Sequence, residues 1–525
     1  MQFLQKIKLI QGGMGVYVSN WRLARAVAME KPGITAGTVS GTGLDIVYVR
    51  LLQLGDPGGH VRCALAAFDA QFGVSIGQKI LNRYFIDGGK VPAARFKNAP
   101  KQMVRTQNGS DIIPVPVQPA APVALTMETD TVELLIATGF CEVWLARQGQ
   151  GTPQGQSTLQ GDNSKIFINF LHKVELPLIY TMYGAMLAGV DGVIVGAGNP
   201  DGLPAVCSRL AEHAAVTSEL SVMYRESGET FRITFDPRLA AEGKLAQNPL
   251  RRPAFLAIVS LENLVQSLAQ SQTEAPDGFI IEHHTAGGHN AGPQGPLKKD
   301  DKGQPIYGPE DEPDLQAIRQ VGRPFWLAGG YGSREKLGQA LAAGATGVQV
   351  GSAFALAEES GMKSIYRSAI LNELKKGTDD SRLVLTTLFS PTGFPFKVVQ
   401  LEDTLADDAV YAARLRVCDI GLLQQRGLSK PAADGTRRLF QRCPAAALDD
   451  FVSKRGLPLN TEGRRCLCNG LLACVGLGQV GFLNGEKMEE PAIVTLGNHL
   501  DGIRRLSHNG QNPYWARDVV NDILG

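Results

Sequence analysis

The 525-residue sequence predicts an α/β fold of the (β/α)8 TIM-barrel class, with insertions and a mainly helical, cysteine-containing C-terminal extension. Short apolar runs alternate with helical patterns from residue 5 to about residue 365, which is typical of βαβ units and a parallel sheet. Glycine-rich strand ends persist into the last two units, where barrels of this class often bind phosphate. An open, doubly wound sheet is the alternative.

Nine apolar runs are candidate strands, one more than the barrel needs. Near-continuous apolar sequence is typical of parallel strands, because helices cover both of their faces. We expect one candidate between residues 122 and 196 to lie outside the barrel. Helical patterns occupy 21–29, 261–270 and 333–343. The candidate strands are 7–11, 34–39, 122–127, 141–146, 192–196, 254–259, 278–282, 325–328 and 347–350.

The chain is longer than the barrel alone, which typically needs about 250 residues. We predict a barrel domain over residues 1–400, with insertions near 51–121 and 293–313. The second insertion follows a candidate site residue, and loops in such places are often functional. The alternation fades after residue 400, so 401–525 is predicted to be a helical and loop extension.

Composition excludes several classes of partner. The chain has 52 Lys+Arg against 51 Asp+Glu, which gives no strong attraction to nucleic acid or to an anionic membrane. The longest uncharged runs, 112–127 and 176–190, contain Pro or Gly and fall short of a membrane span. The N-terminus lacks the apolar stretch of a signal peptide. We therefore expect a cytoplasmic protein without nucleic-acid or membrane partners.

Glycines close three of the predicted strands. Gly12, Gly13 and Gly15 would let the backbone approach a planar ligand, although a tight βα turn is the alternative. GxGxxG spacing is absent, so a Rossmann fingerprint is not supported. The pairs Gly329-Gly330 and Gly351-Ser352 end two successive units, each before a helix. Their amides could bind an anion such as phosphate, with the Ser352 hydroxyl as a further donor.

His289 follows two glycines and is a candidate acid or base, because imidazole exchanges protons near neutral pH. A hydrogen-bonded structural histidine is the alternative. Three of the eight histidines lie within seven residues, which also allows a metal site. His283 and His284 would face opposite sides of a continued strand. No carboxylate or cysteine lies beside them at ligand spacing, so we do not predict a metal there.

Cysteines concentrate near the C-terminus. Zinc or an iron–sulfur cluster could bind there, but the two spaced CxxC pairs that would indicate such a site are absent. Buried free thiols are the alternative. The candidate ligands are Cys418, Cys443, Cys466 and Cys468, with Cys474 nearby.

Together these motifs resemble the nitronate monooxygenase family, formerly called 2-nitropropane dioxygenases. The wider superfamily includes FMN-dependent enoyl-acyl-carrier-protein reductases and the trans-acting enoyl reductases of polyunsaturated fatty acid and polyketide synthases. The resemblance covers about residues 7–400. It rests on the motifs at 10–14, 286–289, 328–330 and 347–354, in that order and spacing.

The resemblance implies a TIM barrel that holds FMN non-covalently. The phosphate would bind at Gly329, Gly330, Gly351 and Ser352, and the isoalloxazine would lie near Gly13 and Met14. His289 would be the catalytic acid or base. The segment 390–397 is similar to the family segment that returns to the barrel mouth. The predicted cofactor-binding residues are Gly13, Met14, Thr38, Ser40, Gly287, Gly288, Gly329, Gly330, Gln349, Gly351 and Ser352.

The substrate is left open, because Thr285 stands where the family usually has an acid, and Glu282 lies three residues earlier. We predict His284 and Tyr307 as substrate contacts. The first hypothesis is FMN-dependent oxidation of a small nitronate or nitroalkane with O2, in which His289 removes the α-proton.

Two alternatives remain. The first is NAD(P)H-dependent reduction of an enoyl thioester, with Lys298 and Lys299 in the second insertion as a docking patch for a carrier protein. The second is a non-catalytic flavin- or metal-binding scaffold. A homodimer is compatible with each hypothesis.

Overall fold

The computed structural model describes residues 2–116, 121–148, 163–415, 418–483 and 485–525. Eight parallel strands close into a barrel, in the order β1-β14-β13-β12-β11-β7-β6-β2, with helices between them. The predicted (β/α)8 TIM barrel is therefore confirmed.

The strands, numbered along the chain, are β1 (Leu9–Gln11), β2 (Thr35–Ser40), β3 (Val104–Thr106), β4 (Ile112–Pro114), β5 (Val123–Met127), β6 (Lys165–Leu171), β7 (Gly192–Gly196), β8 (Val216–Glu219), β9 (Val222–Met223), β10 (Phe231–Phe235), β11 (Ala254–Val259), β12 (Gly278–Glu282), β13 (Phe325–Ala328), β14 (Gly347–Val350), β15 (Val384–Thr387), β16 (Phe396–Val399), β17 (Gln425–Leu428), β18 (Thr436–Arg442), β19 (Val480–Leu483) and β20 (Glu486–Glu489).

The helices are α1 (Trp21–Glu30), α2 (Leu44–Gln53), α3 (His60–Phe72), α4 (Ile76–Tyr84), α5 (Thr129–Arg147), α6 (Glu175–Leu187), α7 (Leu203–Ala211), α8 (Glu262–Ala269), α9 (Leu315–Gln320), α10 (Arg334–Ala342), α11 (Ser352–Ala355), α12 (Ser364–Lys375), α13 (Asp380–Leu383), α14 (Asp408–Ala413), α15 (Leu448–Ser453), α16 (Leu467–Cys474), α17 (Asp501–Leu506) and α18 (Ala516–Leu524). Short 3-10 helices occupy Gln2–Lys6, Ala240–Gly243, Pro309–Asp311 and Pro458–Thr461.

Apolar side chains fill the barrel interior and make it a packed core. Ile10, Phe167 and Trp326 meet there with their neighbours from the other strands. Leu4, from the N-terminal 3-10 helix, joins the same cluster, and the Trp326 indole Nε1 donates to the Ile7 carbonyl at 2.9 Å. The amino-terminal end of the barrel is therefore closed by packing, which leaves the opposite end for a site.

Two predicted strands lie outside the barrel, and one barrel strand is missing from the prediction. Residues 122–127 do form β5, but it belongs to a side sheet of order β3-β5-β10-β8. The predicted strand at 141–146 is wrong, because these residues lie within α5. Almost every side chain of this stretch is buried, so its apolar run has no helical period to reveal it. The missing barrel strand is β6, between β2 and β7.

The first predicted insertion carries α3, α4, β3 and β4 between barrel strands β2 and β6. The C-terminal extension joins this part of the molecule through a second side sheet of order β4-β18-β17-β9. Two of the sheet's four strands come from the extension and two from segments inserted in the barrel. The extension contains five helices and four strands among its described residues.

The extension also packs on the barrel itself. Val519 and Ile523 of α18 share one buried apolar cluster with Leu23 and Val27 of α1. Residues 492–503 enter the same cluster beside β14. Among the described residues, no helix combines the length and the apolar character needed to cross a membrane.

Candidate active site

A cavity of about 620 Å³ opens at the carboxyl ends of the barrel strands. Residues at or just after the ends of all eight strands line it, as expected for the functional face of a (β/α)8 barrel. The C-terminal extension supplies further wall residues from 422–423, from α16 and from 495–505. The volume is sufficient for a nucleotide-sized cofactor together with a small substrate.

All predicted cofactor-binding residues except Thr38 line this cavity, and so does His289. Thr38 is fully buried within β2, where its backbone N–H donates to the Gln11 side-chain oxygen at 2.9 Å. Ser40, two residues further along the strand, does reach the cavity. The residues that line it are Gly13, Met14, Ser40, Gly287, Gly288, Gly329, Gly330, Gln349, Gly351 and Ser352.

We define the glycine rim as Gly12, Gly13, Gly329, Gly330 and Gly351. Gly329 and Gly330 have φ angles of +90° and +80°, in the left-handed region that favours glycine. A Cβ atom at Gly13 would lie 2.3 Å from the Cβ of Asn169. The rim therefore brings bare backbone to the cavity surface, where a ligand can meet it closely.

Hydrogen bonds join the extension to residues that lie beside the glycine rim. The Gly288 N–H donates to the Thr495 hydroxyl at 2.8 Å, and the Gly497 N–H donates to the Ser352 hydroxyl at 2.8 Å. Sequence patterns give no signal for the segment 495–497, because it is distant along the chain and carries no recognisable motif.

Gln349 offers an unused acceptor to the cavity. Its side-chain Oε1 is buried and has no hydrogen-bond partner among the described residues. A buried amide oxygen left without a donor costs free energy, so such an atom in a cavity wall indicates a ligand that carries an N–H or O–H group.

His289 lies in the cavity wall at the turn that follows β12. Its Nε2 shares a hydrogen bond of 2.6 Å with the Ser390 hydroxyl, and its ring meets the Phe396 ring edge-on at 4.8 Å. Burial lowers the pKa of His289 to about 3, and the positive charge of Lys173 contributes. The imidazole is therefore neutral near pH 7, and it is a weak base.

Glu282 and Lys397 are two further titratable groups at this end of the barrel. Glu282 ends β12 and lines the cavity, and burial raises the pKa of its carboxyl group to about 7. Lys397, in β16, is 1% exposed, and burial lowers its pKa to about 7. The Lys397 ammonium donates to the Asn290 side-chain oxygen at 3.2 Å and to the His284 carbonyl. Both groups can thus change charge near neutral pH.

Sequence reasoning did not select Glu282 or Lys397 as site residues. Glu282 has a usable signal, since an acid at the end of a buried strand of this barrel faces the functional end. For Lys397, the resemblance places the segment 390–397 at the barrel mouth, but nothing local links this lysine to Glu282, because β16 lies outside the barrel sheet.

His284 and Tyr307 lie beside the cavity but do not line it. Their rings stack at 4.0 Å with an angle of 5° between the planes, and burial lowers the pKa of His284 to about 4. Glu312 reaches this cluster, with its Oε1 2.9 Å from His283 Nε2 and 4.0 Å from His284 Nε2. The carboxylate that the local sequence lacks thus comes from the second insertion, and the three ligand atoms lie close enough together to hold a metal ion.

The four candidate cysteine ligands come together elsewhere, around a small cavity in the extension. We define Cys418, Cys443, Cys466 and Cys468 as the cysteine pocket. Cys474 does not line it and is buried in the apolar cluster against the barrel.

One segment of the chain is similar to a known protein family. Residues 251–393 match the sequence model of the nitronate monooxygenase family. This segment contains β11 to β14, His289 and three of the five glycines of the rim. No curated protein sequence matches the chain.

Three solved structures are similar in part. FabK from Thermotoga maritima is 13% identical with a TM-score of 0.41, over 100% of this chain and 93% of that one. The nitroalkane oxidase from Streptomyces ansochromogenes is 16% identical with a TM-score of 0.33, over 75% and 77% of the two chains. The enoyl reductase domain of MlnA from the macrolactin cluster of Bacillus amyloliquefaciens is 10% identical with a TM-score of 0.33, over 76% and 64%.

These TM-scores are too low to support any inference about the chemistry of this chain. The family match is independent of them, and it covers the units that carry His289 and the last rim glycines. Nitronate monooxygenases are oxidoreductases, so an oxidoreductase is the class of protein that this segment indicates. The predicted resemblance to the nitronate monooxygenase family is thus confirmed over residues 251–393.

Proposed function

We propose that the chain is an FMN-dependent oxidoreductase that oxidises a small nitronate or nitroalkane with O2. The observation that carries this proposal is the cavity at the barrel's carboxyl end, which the glycine rim and His289 both line. The nitronate monooxygenase match over 251–393 supports the same chemistry.

The residues present fit an FMN molecule. Gly329, Gly330 and Gly351 expose backbone that a phosphate can approach, and no side chain of their own stands in the way. The unpartnered Gln349 oxygen would accept from an N–H of the isoalloxazine. When bound, FMN would supply the two-electron redox chemistry that no amino-acid side chain provides.

A positive charge near the cavity and a neutral imidazole in its wall would act on the reactant in different ways. Lys173 is close enough to His289 to lower the histidine's pKa, so its positive charge also favours an anionic reactant such as a nitronate. Neutral His289, held by Ser390, can hydrogen-bond to the reactant without carrying a charge of its own.

A nitroalkane must lose its α-proton before it becomes a nitronate. A base works best when its pKa lies near the working pH, and in this cavity Glu282 meets that condition better than His289 does. We therefore assign proton removal from a nitroalkane to Glu282, which replaces the base role that the sequence assigns to His289.

Apolar lining favours one alternative substrate. Val16, Phe170, Leu422 and Leu471 form an apolar side of the cavity that a small nitronate would not need. An acyl chain would fit against it, as NAD(P)H-dependent reduction of an enoyl thioester requires. Lys298 and Lys299 are exposed in the second insertion and are available to an acidic carrier protein.

Titration of the purified full chain with FMN, followed by anaerobic mixing, tests both candidates. The proposal expects tight FMN binding and bleaching of the flavin absorbance by an alkyl nitronate, with recovery when O2 is admitted. If NADPH or NADH bleaches the flavin and an enoyl thioester restores its absorbance, reduction of enoyl thioesters would replace nitronate oxidation as the proposed function. Protein that binds no FMN would overturn both, and bound FMN that no reactant bleaches would favour a non-catalytic scaffold.

A further inference from the structure

The cysteine pocket gathers four thiols from three separate parts of the extension. Cys418 precedes β17, Cys443 directly follows β18, and Cys466 and Cys468 stand at the start of α16. All four are free thiols, and they face one small cavity. The chain's other four cysteines do not line this cavity.

The four thiols come from segments that lie apart along the chain and meet only in the folded extension. Thiolates that lie close together repel one another, and a positive centre between them removes that repulsion.

The Gln424 amide donates a hydrogen bond to the Cys418 sulfur, with an N to S distance of 3.7 Å. Such a donor matches a thiolate better than a thiol, because a neutral thiol is a poor acceptor. Hydrogen bonds to cysteine sulfurs are the usual second layer of a metal–thiolate site. The pocket thus offers four ligands and, at Cys418, a donor of this kind.

We propose that Cys418, Cys443, Cys466 and Cys468 bind an iron–sulfur cluster of the [4Fe–4S] type. This cluster takes four cysteine thiolates, one on each iron, so the ligands need not touch one another. Four thiolates are also the complete ligand set that the pocket offers.

Zinc fits the spacing of the thiols less well. A tetrahedral zinc ion with bonds of about 2.3 Å would bring its four sulfurs to within about 4 Å of one another. Among the described residues, no three of these sulfurs lie within 4.8 Å of one another. Thiols spaced in this way suit a cluster, in which each thiolate binds a different iron, better than they suit a single ion.

The cysteine pocket adjoins the candidate active site. Cys468 and Leu423 line both the small cavity and the large one. A cluster here would lie next to the space assigned to FMN, but its ligands come from the extension alone, and its presence does not depend on the proposed function.

Iron and acid-labile sulfide measured on the full chain, purified without oxygen, test the proposal. We expect about four of each per chain, and an electron paramagnetic resonance signal after reduction with dithionite. If the protein is isolated without iron, anaerobic incubation with ferrous iron and sulfide gives the decisive sample. Absence of iron after that treatment, or one zinc ion per chain in its place, would overturn the proposal.

Single serine variants identify the ligands. Cys466→Ser and Cys443→Ser should lose most of the iron and the reduced-state signal, whereas Cys63→Ser and Cys474→Ser should keep both. Cys63 is exposed and Cys474 is buried elsewhere, so the controls match the loss of one thiol in either environment. FMN content serves as a separate readout of folding. Full iron retention in both Cys466→Ser and Cys443→Ser would contradict the assignment of the ligands. If a variant fails to fold, the iron and sulfide content of the unaltered chain still tests whether a cluster is bound.

Discussion

The glycine rim and the cysteine pocket are built from opposite kinds of residue. The rim offers backbone without side chains, and its glycines end barrel strands that must meet at one end of a closed parallel sheet. The cysteine pocket offers reactive side chains. Its cysteines come from three segments of the extension, and they meet only when those segments fold together. The first kind of site follows from strand order, while the second depends on packing between distant segments. The two are neighbours, so each can be altered while the other serves as the control.

The largest expected effect concerns proton removal by Glu282, which lines the same cavity as the glycine rim. Glu282→Gln should lower kcat/KM for a nitroalkane by about a hundred-fold, because an amide cannot accept the α-proton. In the unaltered enzyme this activity should rise with pH through about pH 7, as the Glu282 carboxyl loses its proton. The measurement is kcat/KM against pH for a nitroalkane and for its preformed nitronate.

The nitronate is the matched control, since it has no α-proton to lose, and its turnover should change little in Glu282→Gln. Iron content should also be unaffected. An unchanged nitroalkane profile in Glu282→Gln, with loss of activity in His289→Asn, would return the base role to the histidine.

The next effect tests the backbone of the rim. Gly329→Ala should weaken FMN binding by about ten-fold, because a side chain at φ +90° costs roughly 1–2 kcal/mol and the new Cβ would lie 3.0 Å from the His283 carbonyl. Gly332→Ala is the control, since it lines the same cavity and its Cβ would meet only a methyl of Val350, at 3.6 Å. Fluorescence titration with FMN measures both. Equal affinities in the two variants would show that the rim's backbone conformation does not matter.

A smaller effect, on stability, is expected from the hydrogen bond that joins Thr495 of the extension to Gly288. Thr495→Val removes the acceptor for the Gly288 N–H and should lower the free energy of unfolding by about 1 kcal/mol. Thr461→Val is the control, because the Thr461 hydroxyl bonds only within its own turn, to the Pro458 carbonyl. Denaturant unfolding followed by circular dichroism compares them. An equal decrease in the free energy of unfolding in both variants would mean that the hydrogen bond between Gly288 and Thr495 makes no special contribution to stability.

The last prediction is a pH dependence of stability. Burial holds the pKa of His289 at about 3 in the folded chain, against 6.5 for an ordinary histidine. The unfolded chain therefore binds the proton more readily, so stability should fall as the pH drops from 6.5 toward 3. His289→Asn should flatten this slope, and the exposed His508→Asn should not. Unfolding midpoints measured between pH 4 and pH 7 would show the difference, and identical slopes would contradict the burial of a neutral imidazole.

Much of the barrel could be predicted from local sequence. Apolar runs bounded by glycine gave seven of the eight barrel strands, because a strand covered on both faces needs continuous apolar sequence. The same rule failed at α5, whose buried residues form an equally continuous run. The rule also could not show that β5 pairs with β3 and β10 outside the barrel. The sequence of one strand does not identify the strands that it pairs with.

By itself, the sequence determined the strand ends, and with them the glycine rim and His289, because consecutive parallel strands deliver their carboxyl ends to one side of the barrel. Only the tertiary structure decided which charges meet there. Burial moved the pKa of His289 down and that of Glu282 up, and long-range packing brought Lys397 to Glu282, Glu312 to the paired histidines and four distant thiols to one cavity. Desolvation and contacts between distant segments depend on the folded surroundings, so a local motif cannot report them.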